Sequence, residues 1–368
     1  MKIAIFSQRW ITGGKEAFIV NMLKNVELID NEVIIVTSYK ETSFFDDQLK
    51  KLNISVISLI DKKQNVFKRN ILLRKQLKVF LSNNYFDKII FNIDNGWDLN
   101  LVNIAKKKGV KSVIAHSHNS DVSHDKFRVI KLLAHRLGKS LYSSSPTDYW
   151  ACSNKAANFV FNSKMIDQVS IIKNGIDTNK FIFSSLKREE IRRELGVSVD
   201  EVLIGTVGRL SEQKNPSFIL EIAKNLRLNS QYKFIFVGEG EMRTYLQHKA
   251  LQYGIENNII FYGNSKDVAS MMSAMDIFLL PSKFEGLPIT LIEAQTNGLP
   301  ILVSDKVTDE VMIADNVKFL SLDDELLWCE EIKKLKLNEQ RTKYINNIRD
   351  SGYDIHMTSR EYFDLLVK

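Results

Sequence analysis

Cysteine is almost missing: Cys152 and Cys329 are the only two thiols in 368 residues and stand far apart. Without a paired spacing they form neither a zinc-ligand signature nor a dithiol redox motif, so both are expected to be reduced. No apolar run approaches the ~18 residues that a membrane-spanning helix requires. No helix-turn-helix, zinc-finger or aromatic RNA-binding signature is present, and no segment is of low complexity. The first residues, Met1-Lys2, lead straight into Ile3-Ala4-Ile5-Phe6. That run is too short for a signal-peptide core and reads as a first buried strand, so the chain is expected to stay in the cytoplasm.

What is present is the composition of a soluble globular protein, with 44% hydrophobic and 26% charged residues. A length of 368 residues suits two domains, each burying its own core. The net charge of +7 conceals an asymmetry: residues 1–180 carry +12 and residues 181–368 carry −5. Part of the positive charge lies in residues 62–80, where apolar residues recur at three- and four-residue spacing between bases, and residues 126–139 repeat the pattern. Basic amphipathic helices of this kind lie on anionic lipid, hold an anionic substrate, or simply pack an apolar face on their own domain. Nucleic acid is not expected as a partner.

The first half alternates short β-branched runs with helical patterns, placing strands near 3–6, 33–37, 54–59, 88–91, 112–115, 149–151 and 169–172. The series restarts at Val202-Leu203-Ile204-Gly205-Thr206-Val207, followed by 233–237, 259–262, 277–280 and 300–303. Such alternation specifies parallel sheets covered by helices. Asn174-Gly175-Ile176-Asp177 is a turn signal, which sets the boundary near 180. The expected fold class is α/β, with two Rossmann-like parallel-sheet domains, 1–180 and 181–350, facing a central cleft. A C-terminal helix at about 350–368 has apolar residues enough to pack on either domain.

Ligands of open parallel sheets bind beyond the carboxyl ends of the strands. Thr12-Gly13-Gly14-Lys15 follows the first strand, and its glycines let backbone N–H groups approach a phosphate at a helix N-terminus, although a plain tight turn reads the same way. It lacks the three-glycine dinucleotide spacing and the Gly-Lys-Ser/Thr phosphate-loop ending, which argues against NAD and ATP. Gly208-Arg209-Leu210-Ser211-Glu212-Gln213-Lys214-Asn215 sets two cations five residues apart directly after a strand, a pair suited to a diphosphate and to the charge that develops as it leaves. Glu285 stands in a loop before Pro288, and Glu293 stands inside the helix that follows. One carboxylate can meet a reacting sugar while the other reaches further along the same ligand. Paired carboxylates also serve glycoside hydrolases, but those seldom keep diphosphate-binding cations beside them.

These stretches resemble the donor domain of glycosyltransferase family 4. The similarity runs through Gly208-Arg209-Leu210 with Lys214, Val237-Gly238-Glu239-Gly240, Phe261-Tyr262-Gly263, and Pro281-Ser282 through Glu293 to Gly298-Leu299-Pro300, covering about residues 202–305. The first half is similar more loosely, through Gly13-Gly14, Ala115-His116-Ser117-His118-Asn119 and Asn174-Gly175-Ile176-Asp177. The resemblance implies a GT-B fold, a nucleotide-diphospho-sugar donor and retention of anomeric configuration. By it, Arg209 and Lys214 hold the diphosphate, Glu285 the sugar hydroxyls and Glu293 the ribose. Gly13 and Gly14 meet phosphate from the other domain. Gly238, Glu239, Gly263, Phe284, Gly286 and Leu287 complete the donor site. His116 matches the family's active-site histidine, with His118 in reserve and Asn119 beside it for the acceptor.

The His-Ser-His-Asn segment is similar to that of bacterial capsule and exopolysaccharide enzymes, which implies a glycan or lipid-diphosphate-linked acceptor and a peripheral place at the inner face of the plasma membrane. The donor is expected to be UDP-linked. No cofactor is expected, and no metal: the adjacent Asp46-Asp47 lacks the Asp-x-Asp spacing of the other large glycosyltransferase fold. Two rival readings share the donor site. A sugar-nucleotide epimerase or isomerase would turn over UDP-sugar without acceptor, and a non-enzymatic binding protein would be expected to have lost Lys214 or Glu285.

Overall fold

In the computed structural model, which describes all residues except 29, 62–63, 123–126, 230, 336–339 and 368, the chain forms two units. One is Met1–Gly175 together with the C-terminal segment from Ile355, and the other is Ile176–Asp354. Seven strands build the first: β1 (Lys2–Ser7), β2 (Glu32–Thr37), β3 (Ser55–Ser58), β4 (Lys88–Ile93), β5 (Ser112–Ser117), β6 (Asp148–Ala151) and β7 (Val169–Ile171). They lie parallel in the order β3-β2-β1-β4-β5-β6-β7. The second holds β8 (Val202–Val207), β9 (Tyr232–Val237), β10 (Ile259–Gly263), β11 (Ile277–Leu280), β12 (Ile301–Ser304) and β13 (Val317–Leu320), parallel in the order β10-β9-β8-β11-β12-β13.

Strands covered by helices on both faces must be apolar throughout, and Ile3-Ala4-Ile5 in β1 and Leu203-Ile204 in β8 are at most 1% exposed. The second unit's core joins Phe234, Phe236, Leu279 and Leu302 of the sheet to Trp328 of helix Glu325–Lys334. In each sheet the strand order reverses once, between β1 and β4 and between β8 and β11. The carboxyl ends of those strands are where an open sheet leaves a crevice for ligands.

The boundary thus falls five residues before the expected one. Helix Ile355–Val367 belongs with the first unit, where the Tyr362 ring meets those of Phe18 (5.9 Å between centroids) and Trp150 (5.3 Å). Strand β13 lacks a counterpart in the sequence reading, because Val-Lys-Phe-Leu is short and only partly buried at the sheet edge. The two basic stretches form helices Val66–Asn83 and Arg128–Tyr142, while Lys62, Lys63 and Lys126 lie outside the described residues. Helix Val66–Asn83 starts where the Asn65 side chain accepts from the Lys68 N–H, and it buries Leu73, Leu77 and Leu81 at four-residue spacing.

Candidate active site

In the second unit the loops after β8 and β11 meet at the point where the strand order reverses. Lys214 Nζ lies 2.8 Å from Glu285 Oε1, joining residues 71 positions apart in the chain. Glu285 is only 7% exposed, and a carboxylate so far out of water is tolerated because the ammonium stands beside it. The Lys283 N–H donates to the Gln213 carbonyl at 2.8 Å and Gln213 Nε2 to the Phe284 carbonyl at 3.1 Å, so the two loops are strapped together. Asn215, next to Lys214, takes a left-handed turn (φ 53°) that starts helix Pro216–Leu226. Arg209 follows Gly208 at half-buried depth. Around these groups Ser211 Oγ, Ser282 Oγ and Thr290 Oγ1 are buried without a hydrogen-bond partner among the described residues. Buried hydroxyls left unspent are where a polar ligand finds its bonds.

Gly238 has φ 138°, and a Cβ there would come 2.1 Å from the Gly208 carbonyl oxygen. Glycine is required for the loops after β8 and β9 to lie this close. The Gly238 N–H donates in turn to Gly263 O at 2.8 Å. Glu239 is held by Arg243, which also donates to Phe261 O at 3.1 Å, so this carboxylate sits at an exposed edge with a cation on it. Phe284 and Leu287, each 6% exposed, and Gly286 form the buried wall of the loop that carries Glu285.

Glu293 lies in helix Ile289–Thr296. Burial pushes its carboxyl up to about 7, against the opposing pull of Lys180 and Lys214. Lys180 was absent from the sequence reading, since nothing in the chain links it to a residue so far away. Because the folded form keeps a proton that the unfolded chain releases near its ordinary 4.5, this group makes stability greatest at low pH. Stability is then lost as pH rises from about 4.5 to about 7. Denaturant midpoints at pH 5 and pH 8 should therefore differ less in Glu293→Gln than in the parent protein; equal differences would show that the carboxyl is not shifted.

In the first unit, the ends of β1, β4 and β5 carry a second polar cluster. Lys15, at the start of helix Gly14–Lys24, holds both Asp94 oxygens, at 2.9 and 3.0 Å. Burial alone would lower the pKa of Lys15, but the charges of Asp94 and Glu16 more than offset this and raise it. Asn119 Nδ2 reaches Asp94 Oδ1 at 3.3 Å, and the Asp94 N–H donates to Asp98 Oδ2 at 3.0 Å. Asp98 is pushed up to about 6 by burial and by Asp94. A Cβ on Gly14 would meet nothing within 4 Å, whereas one on Gly13 would strike Glu16 Oε2 at 2.7 Å. The helix N-terminus thus already holds a buried carboxylate, Glu16, bonded to Ser7 Oγ at 2.9 Å.

Strand β5 runs past its expected end, which sets His116 inside the sheet and His118 just beyond it. β5 does not stop at Ala115: His116 and Ser117 stay in register with Asn92 and Ile93 of β4 and with Trp150 and Ala151 of β6. His116 is consequently 0% exposed among Phe18, Trp150 and His118, with no hydrogen bond at either ring nitrogen among the described residues. The strand extends beyond Ala115 because ladder pairing continues through polar positions. His118 is the first residue beyond the strand. Its Nε2 lies 2.8 Å from Asn92 Oδ1, and Asn92 Nδ2 donates to the Phe6 carbonyl, so the amide is oriented with its oxygen toward the ring. Nε2 of His118 therefore carries the proton and Nδ1 keeps its lone pair. Burial and the charge of Lys15 push His118 down to about 3, so this ring is neutral at physiological pH.

Two doubly wound sheets with polar groups gathered at both reversal points define a two-domain α/β enzyme of the nucleotide-binding kind. Residues 187–351 match the family described as glycosyl transferases group 1. Over 384 aligned residues the chain is 26% identical to a Campylobacter jejuni enzyme, covering 100% of this chain and 99% of that one. That enzyme is named as the GalNAc-α-(1→4)-GalNAc-α-(1→3)-diNAcBac-PP-undecaprenol α-1,4-N-acetyl-D-galactosaminyltransferase. This chain is also 24% identical to the capsular polysaccharide biosynthesis glycosyltransferase CapH of Staphylococcus aureus, over 98% of this chain and 97% of that one. Among solved structures, Anabaena HepE in complex with UDP-glucose superposes with a TM-score of 0.79 at 19% identity, over 100% of this chain and 99% of that one. The protein is a glycosyltransferase of the GT-B fold, similar to bacterial capsule and polysaccharide enzymes.

Proposed function

We propose that this glycosyltransferase moves a sugar from a UDP-sugar to a polyprenyl-diphosphate-linked glycan, with retention and without a metal ion, during assembly of a bacterial surface polysaccharide. The observation that carries the donor half is the Lys214–Glu285 pair, a half-buried cation on a buried carboxylate at the reversal point of the second sheet. Support for UDP comes from the UDP-glucose complex of HepE, and support for the acceptor from the undecaprenol-linked substrate in the name of the Campylobacter jejuni relative.

In this reading Arg209 and Lys214 bind the diphosphate, Glu285 accepts from sugar hydroxyls, and Glu293 takes the ribose. The bond from the anomeric carbon to the diphosphate oxygen breaks with its electron pair leaving on the phosphate, whose growing charge the two cations neutralise. The acceptor hydroxyl bonds to the same face, and its proton passes to the departing phosphate oxygen. Positioning and electrostatics supply most of the rate. His118, neutral and oriented by Asn92, is the histidine fit to bond a sugar hydroxyl; His116 supports it from the core.

Titration calorimetry of the purified chain with UDP-, GDP- and ADP-sugars in EDTA tests the donor assignment. Micromolar binding of a UDP-sugar is expected. Absence of binding by every sugar nucleotide would overturn the reading, and turnover of free UDP-sugar to an epimer would replace it with the isomerase. The anomeric configuration of the product, read by NMR, decides retention.

A further inference from the structure

Helix Arg128–Tyr142 turns its apolar side away from the protein. Ile130, Leu133, Leu137 and Leu141 recur at helical spacing and are 65%, 60%, 50% and 57% exposed; Val129 widens the stripe at 70%. The opposite face is fixed. His135 Nδ1 accepts from the Gly96 N–H at 2.9 Å, and its ring stacks on Phe159 at 4.1 Å between centroids. Gly138 lies so close to the 96–97 backbone that a Cβ would come 2.3 Å from Gly96 O. The helix cannot roll to bury its leucines without breaking that seat. It contains four bases and no acid: Arg128 pairs with Asp121 at 2.9 Å and Lys139 donates to the Asn158 and Phe159 carbonyls, while Arg136 is exposed and Lys131 completes the set. Helix Val66–Asn83, equally basic in sequence, instead buries its Leu73, Leu77 and Leu81.

We infer that helix Arg128–Tyr142 docks on an anionic lipid bilayer, with its Ile130-Leu133-Leu137-Leu141 stripe entering the boundary between headgroups and acyl chains. An exposed apolar stripe of this extent marks an interaction surface, and the exposed Arg136 next to Leu137, on a helix of net positive charge, complements an anionic leaflet. Charge selects the occupant. A second copy seated on the same stripe would set one helix of net positive charge against another, in a half of the chain that already carries +12. Its purpose, presenting the enzyme to a lipid-linked acceptor, rests on the function proposed above; its evidence does not.

The full chain should sediment with phosphatidylcholine vesicles that contain phosphatidylglycerol, and not with phosphatidylcholine alone. Leu133→Asp with Leu137→Asp should weaken that binding about 100-fold, since two apolar contacts are lost and two charges repel the surface. Ile71→Asp, at a 56% exposed position of helix Val66–Asn83, should bind as the parent does. Both replaced leucines are exposed, so UDP-sugar calorimetry should be unchanged in the double variant; its absence in the parent would sink the transferase reading and leave this one standing. Failure of the parent to bind anionic vesicles, or undiminished binding by the double variant, overturns the inference. A parent dimer that the double variant converts to monomer overturns it in favour of an interface between copies.

Discussion

Replacing Lys214 with alanine is expected to lower kcat about 10²–10³-fold at saturating donor while the chain stays folded, the loss typical of removing one preorganised charge from a developing anion. Lys214 is the cation held at 2.8 Å from Glu285, on the loop that leaves β8 in the middle of the second sheet. Substitution deprives the leaving diphosphate of a positive partner. It also leaves the 7% exposed Glu285 without that cation, so its charge opposes the phosphate's entry. Donor affinity should therefore fall together with kcat. Lys214→Arg should restore only part of the activity, because a planar guanidinium does not replace an ammonium in a strapped loop. Steady-state kinetics with circular dichroism as a fold control checks this. A kcat within threefold of the parent would remove Lys214 from the machinery and the donor site with it.

The second large effect is on stability. Arg341→Met should destabilise the second unit by about 3–5 kcal/mol, the cost of breaking a buried charged network by removing one partner. Arg341 is 6% exposed, and its guanidinium donates to Met275 O at 2.8 Å, Met272 O at 3.0 Å, Asn297 O at 3.1 Å and Ser273 O at 3.3 Å, with Asn297 Oδ1 as a further acceptor. The first three of those residues in sequence close helix Val268–Ala274, where Met272 O also accepts from the Met275 N–H and the remaining end carbonyls turn to side-chain donors. Methionine fills the volume but returns none of the bonds: Asn297 O loses its donor, Met272 O keeps only the Met275 N–H, and Ser273 O and Met275 O keep only Arg188. Hydrogen exchange at helix Val268–Ala274 and the denaturant midpoint should both show the loss. A change below about 1 kcal/mol would mean that water can replace the guanidinium, contrary to its burial.

Part of the polar cluster in the second unit was legible in the sequence because it depends on position along the chain. Arg209, Lys214 and Glu285 all follow buried strands, and residues at those positions reach the ligand end of any parallel sheet. The histidines show the limit of such reading. Which of His116 and His118 leaves the core depends on where β5 stops pairing with β4 and β6, and neither neighbour is near it in sequence. Lys15 and Asp94 are 79 residues apart, and no spacing rule links them.

The sequence by itself determined the two parallel sheets, through apolar runs that alternate with helical patterns, and that cations and carboxylates stand in the loops after β8 and β11. Only the tertiary structure decided which carboxylate meets which cation, which histidine is neutral and oriented, where the last helix packs, and which basic helix keeps its leucines in water. Periodicity states that a helix has two faces. Which face is buried depends on the neighbours that close contact admits, here Gly96 against Gly138.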